Sequence, residues 1–119
     1  MVTRPPAAYL ADVRAFAEDI DRFLSGRTLN DFVEDSMLRA AVERKLQNIG
    51  EALVQLSRVS AALAQQVPRH RELIGMRNVL VHGYSGLNTE ELWEAIRQNL
   101  PSLLEAAQRI APSGDHSKT

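Results

Sequence analysis

Cysteine is absent from the 119 residues. That excludes disulfides and thiol chemistry, and it confines any zinc site to histidine and carboxylate ligands. The absence fits a reducing cytoplasm, the expected location. An excess of one charge is also missing: 14 basic residues against 15 acidic ones leave a formal net charge of -1. A chain so balanced has no general affinity for polyanions, so any nucleic acid must be held at a local basic site. The opening MVTRPPAAYL lacks the long apolar stretch of a signal peptide, and no segment approaches the length of a membrane span. No membrane partner is expected. Period-two alternation and Asn-Gly turns are missing, which removes the signals of strands and hairpins. There is no internal repeat. His70, His82 and His116 show no HExxH or other ligand spacing, no serine sits in a GxSxG elbow, and no glycine-rich loop follows a strand. No metal and no cofactor is expected.

What is present is helical periodicity in an ordinary mixture of 45% apolar and 24% charged residues, enough for one domain with one core. Pro6 suits a first helical turn. Leu10, Val13, Phe16, Ala17, Ile20, Phe23 and Leu24 recur at the spacing of an amphipathic helix, and Gly26 suits the left-handed residue after its end. TLNDFVED reads as one or two helical turns. Leu38, Val42, Leu46, Ile49, Leu53, Leu56 and Val59 mark a long helix from about Ser36, and SAALAQQVP extends it until Pro68 breaks the pattern. A further helix runs from Arg69 to His82, closed by Gly83. Asn88 and Glu91 form a capping box for a last helix through Leu92, Ile96, Leu100, Leu103, Ala107 and Ile110, with a kink expected at Pro101. The fold class is all-α, an up-and-down four-helix bundle with an additional short helix. The domain spans residues 1–111, and 112–119 form a polar, disordered tail. Gly50 inside the long helix costs about 1 kcal/mol against alanine, so close approach of another helix is expected there. With Ala40, Ala41 and Ala52, it serves either the bundle core or a subunit contact.

Chemistry concentrates in one place. Residues 69–84 hold Arg69, Arg71 and Arg77 against the single acid Glu72, a local balance of +2, with His70, His82 and Tyr84 alongside. The paired acids Asp19 and Asp21, or Glu90 and Glu91, read as solvated helix surface, and Lys45 and Glu51 as surface charges outside any site. Within MRNVLVHGY, the aliphatic Val79, Leu80 and Val81 read as the anchor of a helix end, with Arg77, Asn78, His82 and Tyr84 facing a cleft. On an ideal helix, Arg77 and His82 diverge by about 140° and about 7.5 Å of rise. One chain therefore need not bring them together, and a second copy would.

Each of these residues has a plainer reading. His82 can cap its helix C-terminus against the dipole. Arg77 can form a surface ion pair. Tyr84 can anchor a loop with its hydroxyl in water, and Asn78 can occupy an exposed polar position.

IGMRNVLVHGY resembles the signature of the HepT-like branch of the HEPN superfamily: Arg77, polar Asn78, three positions, His82, one residue, Tyr84. LQNIGEAL (Leu46–Leu53) is similar to that family's long second helix, DFVED to its acidic connector and LWEAIRQNLPSLLE to its last helix. The likeness runs from about Val13 to Ile110. It implies a homodimeric, metal-independent endoribonuclease whose arginines and histidines gather in an interface cleft. It also implies a type VII-like toxin–antitoxin system, in which an MNT-type nucleotidyltransferase silences the toxin by transferring AMP to Tyr84. RNA, with tRNA and mRNA as candidates, is the implied substrate. Many relatives carry Asp where Gly83 stands here, which removes a charge beside Tyr84.

The residue types suit that chemistry. Metal-free RNA cleavage needs a base for the 2′-hydroxyl, a cation for the developing phosphorane charge and an acid for the leaving oxygen. Histidine titrates near neutrality and serves as base or acid. Arginine keeps its charge and forks onto two phosphate oxygens. Asn78 would orient the histidine or hold the phosphate, and Arg69 and Arg71 would add RNA contacts. AMP on Tyr84 would place an anionic phosphodiester and a bulky base beside Arg77 and His82. The alternative is a non-catalytic helical module that binds the nucleotidyltransferase and serves only as its substrate, a reading that the net acidity favours.

Overall fold

The computed structural model describes residues 4–82 and 88–110. Among them it is all helical: α1 (Pro6–Leu24), α2 (Leu29–Glu34), α3 (Ser36–Val59), α4 (Ala61–Gln65), α5 (His70–His82) and α6 (Thr89–Ile110). The four long helices form the expected bundle, and the polar tail 112–119 lies outside the described residues. Helix α3 is the central element, with α1 on one side and α5 on another. Helix α6 closes over α1 and α2.

The expected stripes are the buried ones. Leu10, Val13, Ala17 and Ile20 of α1 meet Leu38, Val42, Leu46, Ile49, Leu53 and Leu56 of α3, and α6 adds Leu92, Trp93, Ile96 and Leu103. Phe32, fully buried on α2, packs its ring 5.4 Å from that of Trp93. Lys45 spans the α1/α3 seam to Asp19 at 3.0 Å and holds that carboxyl below its usual range. Its surface charge is therefore a tie between helices.

The helix ends follow local chemistry. Pro6 opens α1, and Gly26 after it has φ +75. Thr28 and Asp31 bond reciprocally across the first turn of α2, and Asp35 Oδ1 accepts from the Leu38 amide. The Asn88/Glu91 box is formed: Asn88 Oδ1 accepts from the Glu91 amide at 2.8 Å, and Glu91 Oε1 from the Asn88 amide at 3.1 Å. Asn88→Ala removes one half of that box and is expected to cost about 1 kcal/mol. A lower denaturation midpoint at unchanged slope would report it; an unchanged midpoint would contradict it.

One boundary differs from expectation. The long helix does not continue to Pro68 but stops at Ser60, whose φ of -159 leaves the helical region. The Ser60 amide donates to the Leu56 carbonyl, while its hydroxyl accepts from the Leu63 amide and starts α4. A serine side chain that competes for backbone partners can end one helix and begin the next without disturbing the apolar spacing. Helix α6, by contrast, is continuous through Pro101.

Candidate active site

Helix α5 rests on α3, its principal partner. It does so through Leu73 and Met76, which are buried, and Leu80, which packs partly buried against the core. This corrects the expected anchor, because Val81 is 49% exposed. Consecutive helical residues point about 100° apart, so Val79, Leu80 and Val81 cannot share one buried face.

Arg77 lies at the edge of that contact, directly over Gly50 of α3. A Cβ at residue 50 would come within 2.1 Å of Arg77 Cβ and 2.7 Å of its Cγ. The close approach expected at Gly50 is therefore between α3 and α5 of one chain, and the space it leaves is filled by the Arg77 stem. Beyond the stem, Arg77 Nη1 donates to Asn78 Oδ1 at 2.8 Å and Nη2 to Glu51 Oε1 at 2.8 Å. Arg77 Nε is buried without a hydrogen-bond partner. Glu51 Oε2 in turn accepts from Gln55 Nε2 at 3.0 Å. The Gln55 hydrogen bond and the Arg77 charge hold the Glu51 carboxyl below its usual range, against partial burial.

Glu51 is the residue that sequence reasoning placed outside the site. It stands 26 positions from Arg77 and becomes its partner only when α3 and α5 cross. The signal that points to it is its place beside Gly50: a residue next to a helix-crossing glycine flanks the crossing.

The other candidates divide. Asn78 is exposed and joined to Arg77, and His82 closes α5 on its exposed side. Four helical positions separate those two, so they share one outward face. Arg77 and His82 lie on one continuous helix, so their divergence of about 140° persists. Arg69 and Arg71 lie toward the other end of α5. Arg69 pairs with Glu72 at 3.7 Å and has a left-handed φ of 57, an uncommon and strained conformation for arginine. Neither joins the Arg77 cluster. Tyr84 and Gly83 lie outside the described residues.

Beside Glu51, an open groove of about 210 Å³ runs between α1 and α3, lined by Tyr9, Phe16, Asn48, Glu51 and Gln55 among others. Among the described residues no group of three or more histidines and acids is placed to hold a metal. None of the described helices is long and apolar enough to cross a membrane. The cluster thus holds a guanidinium among a carboxylate and two amides, with the His82 imidazole more than a turn further along α5.

Residues 13–110 match the family model described as ribonuclease HepT-like. The chain is 32% identical over 110 residues to a "Putative RNase" of Methanocaldococcus jannaschii, covering 92% of this chain and 100% of the relative. It is 33% identical over 107 residues to a "Putative RNase" of Caldanaerobacter subterraneus subsp. tengcongensis, covering 90% and 95%. It is 34% identical over 95 residues to the "Probable ribonuclease HepT" of Thermococcus cleftensis, covering 80% and 86%. No solved structure matches it. The chain belongs to the HepT-like ribonuclease family.

Proposed function

We propose that this protein is a metal-independent endoribonuclease, the toxin of a type VII-like toxin–antitoxin system. It acts as a homodimer in the cytoplasm and is silenced when an MNT-type nucleotidyltransferase adenylylates Tyr84. The observation that carries the reading is the guanidinium of Arg77, fixed at the α3/α5 seam on the helix that ends in His82. In the reaction, histidine takes the 2′-hydroxyl proton, the oxygen attacks phosphorus, arginine stabilises the charge that develops, and the P–O5′ bond breaks as the imidazolium returns its proton to the leaving 5′-oxygen. The products are a 2′,3′-cyclic phosphate and a 5′-hydroxyl.

A dimer resolves the divergence of Arg77 and His82 if two α5 outward faces meet about a two-fold axis, so that His82 of one copy approaches Arg77 of the other. The exposed Val81 supports this, as does Gly75, where an added Cβ would meet nothing within 4 Å. Arg69 and Arg71 would then hold flanking phosphates along the RNA.

The test is RNA cleavage by the purified chain in the presence of a chelator. Cyclic-phosphate ends that disappear after incubation with the partner nucleotidyltransferase and ATP are expected. One AMP should be gained per chain, and Tyr84→Phe should prevent both the gain and the silencing. Silencing of the Tyr84→Phe variant by AMP transfer elsewhere would remove Tyr84 from the scheme.

The second reading is a non-catalytic module that binds the nucleotidyltransferase and serves as its substrate. The net charge of -1 and the neutralisation of Arg77 by Glu51 favour it. It predicts harmless expression of the chain alone and intact RNA.

A further inference from the structure

We propose that Glu51 is a positioning residue for Arg77. It fixes the guanidinium plane across the α3/α5 seam while leaving donors free to take the scissile phosphate. The inference rests on the ribonuclease reading above and adds a residue from α3 to a site otherwise confined to one helix.

The donor inventory carries it. An arginine side chain offers five N–H groups. In Arg77 the Nε group is buried, one N–H of Nη1 is taken by Asn78 Oδ1, and one of Nη2 by Glu51 Oε1. Each terminal nitrogen therefore keeps one N–H. A phosphate can bind those two without displacing Glu51, so the carboxylate need not act as a plug.

Both ends of the guanidinium are held from different helices, Asn78 on α5 and Glu51 on α3. The stem is held as well, since it fills the space above Gly50. Glu51 is itself oriented by Gln55 one turn further along α3, so both of its oxygens have partners. Its carboxyl lies below the usual range, which keeps the pair ionised at any pH where histidine works as a base. The same negative charge beside the phosphate weakens RNA binding. Glu51 is thus expected to raise kcat at some cost in KM, a split that a residue serving only stability would not produce.

The experiment compares Glu51→Ala and Glu51→Gln with the parent chain. Readouts are kcat and KM for RNA cleavage, and the nitrogen resonances of the Arg77 guanidinium in the RNA-free protein. Glu51→Ala is expected to lower kcat by about 10- to 100-fold, the cost of a misplaced catalytic group, while KM falls. Glutamine keeps an oxygen for Nη2, so Glu51→Gln should recover most of kcat and retain the lower KM. Separate Nη signals should appear in the parent and in Glu51→Gln, and collapse to an average in Glu51→Ala.

An unchanged kcat in Glu51→Ala would overturn the proposal, and so would a rise in kcat in both variants, which would make Glu51 a mask. If the parent chain cleaves no RNA, the ribonuclease reading falls. The nitrogen resonances still judge the positioning: averaged Nη signals in the parent would overturn it independently. Should Glu51→Ala not fold, Gln55→Ala, which releases the second carboxylate oxygen, is expected to shift kcat in the same direction by less. No change there would count against the proposal.

Discussion

His82→Ala is expected to abolish RNA cleavage while leaving the bundle folded. The reaction needs a group that takes a proton from the 2′-hydroxyl and one that returns a proton to the leaving oxygen. Such a group typically contributes about 10²- to 10⁴-fold in rate, and with no metal in the scheme no hydroxide of another origin replaces it. The fold should tolerate the change because His82 is the exposed last residue of α5. A cation at a helix C-terminus contributes only about 0.3–1 kcal/mol. Cleavage of labelled RNA under chelator, measured beside a thermal melt, separates the two roles. Undiminished cleavage would sink the assignment of His82. A large fall in melting temperature with cleavage lost in proportion would reduce it to a cap.

Gly50→Ala is expected to destabilise the protein, the reverse of the usual effect. In an open helix, alanine is better than glycine by about 1 kcal/mol. Here the new methyl would meet Arg77 Cβ at 2.1 Å and Cγ at 2.7 Å, and the Leu73 carbonyl oxygen at 3.3 Å. None of those atoms is the free end of a flexible side chain, so α5 must move as a body. Such overpacking costs typically about 1–3 kcal/mol. The displacement also carries Arg77 away from Glu51, so cleavage should fall even at temperatures where the variant is folded. A denaturant titration and a rate assay on one preparation test both effects. A gain in stability would show that the crossing has slack, and unchanged cleavage would show that Arg77 is not held by it.

The two substitutions also mark where sequence reasoning reached and where it stopped. The apolar stripes of α1, α3 and α6, the left-handed Gly26 and the Asn88/Glu91 box were legible because each depends on residues within a turn or two of one another. Gly50 was legible as a close approach, since a glycine in a helix interior needs a compensating contact. What it approached was not. The end of α3 at Ser60 was missed because a side chain that caps two helices leaves the apolar spacing intact. Val79–Val81 reads as the anchor in the sequence because a run of aliphatic residues looks like one hydrophobic unit. Of the three, Leu80 packs against the core, and Leu73 and Met76 supply the rest of the buried contact.

The sequence by itself determined the helical class, the positions of the long helices apart from the end of α3, the cysteine-free chemistry and the Arg77–His82 motif. The first three follow from local periodicity and residue type, and the motif from its resemblance to the HepT-like signature. Tertiary structure alone decided the company Arg77 keeps. Glu51 is separated from it by 26 positions and by the α4 turn, and only the packing of α5 over Gly50 brings carboxylate and guanidinium to 2.8 Å. Charge pairs between helices depend on which faces meet, and that is settled by the burial of whole apolar stripes rather than by any single residue.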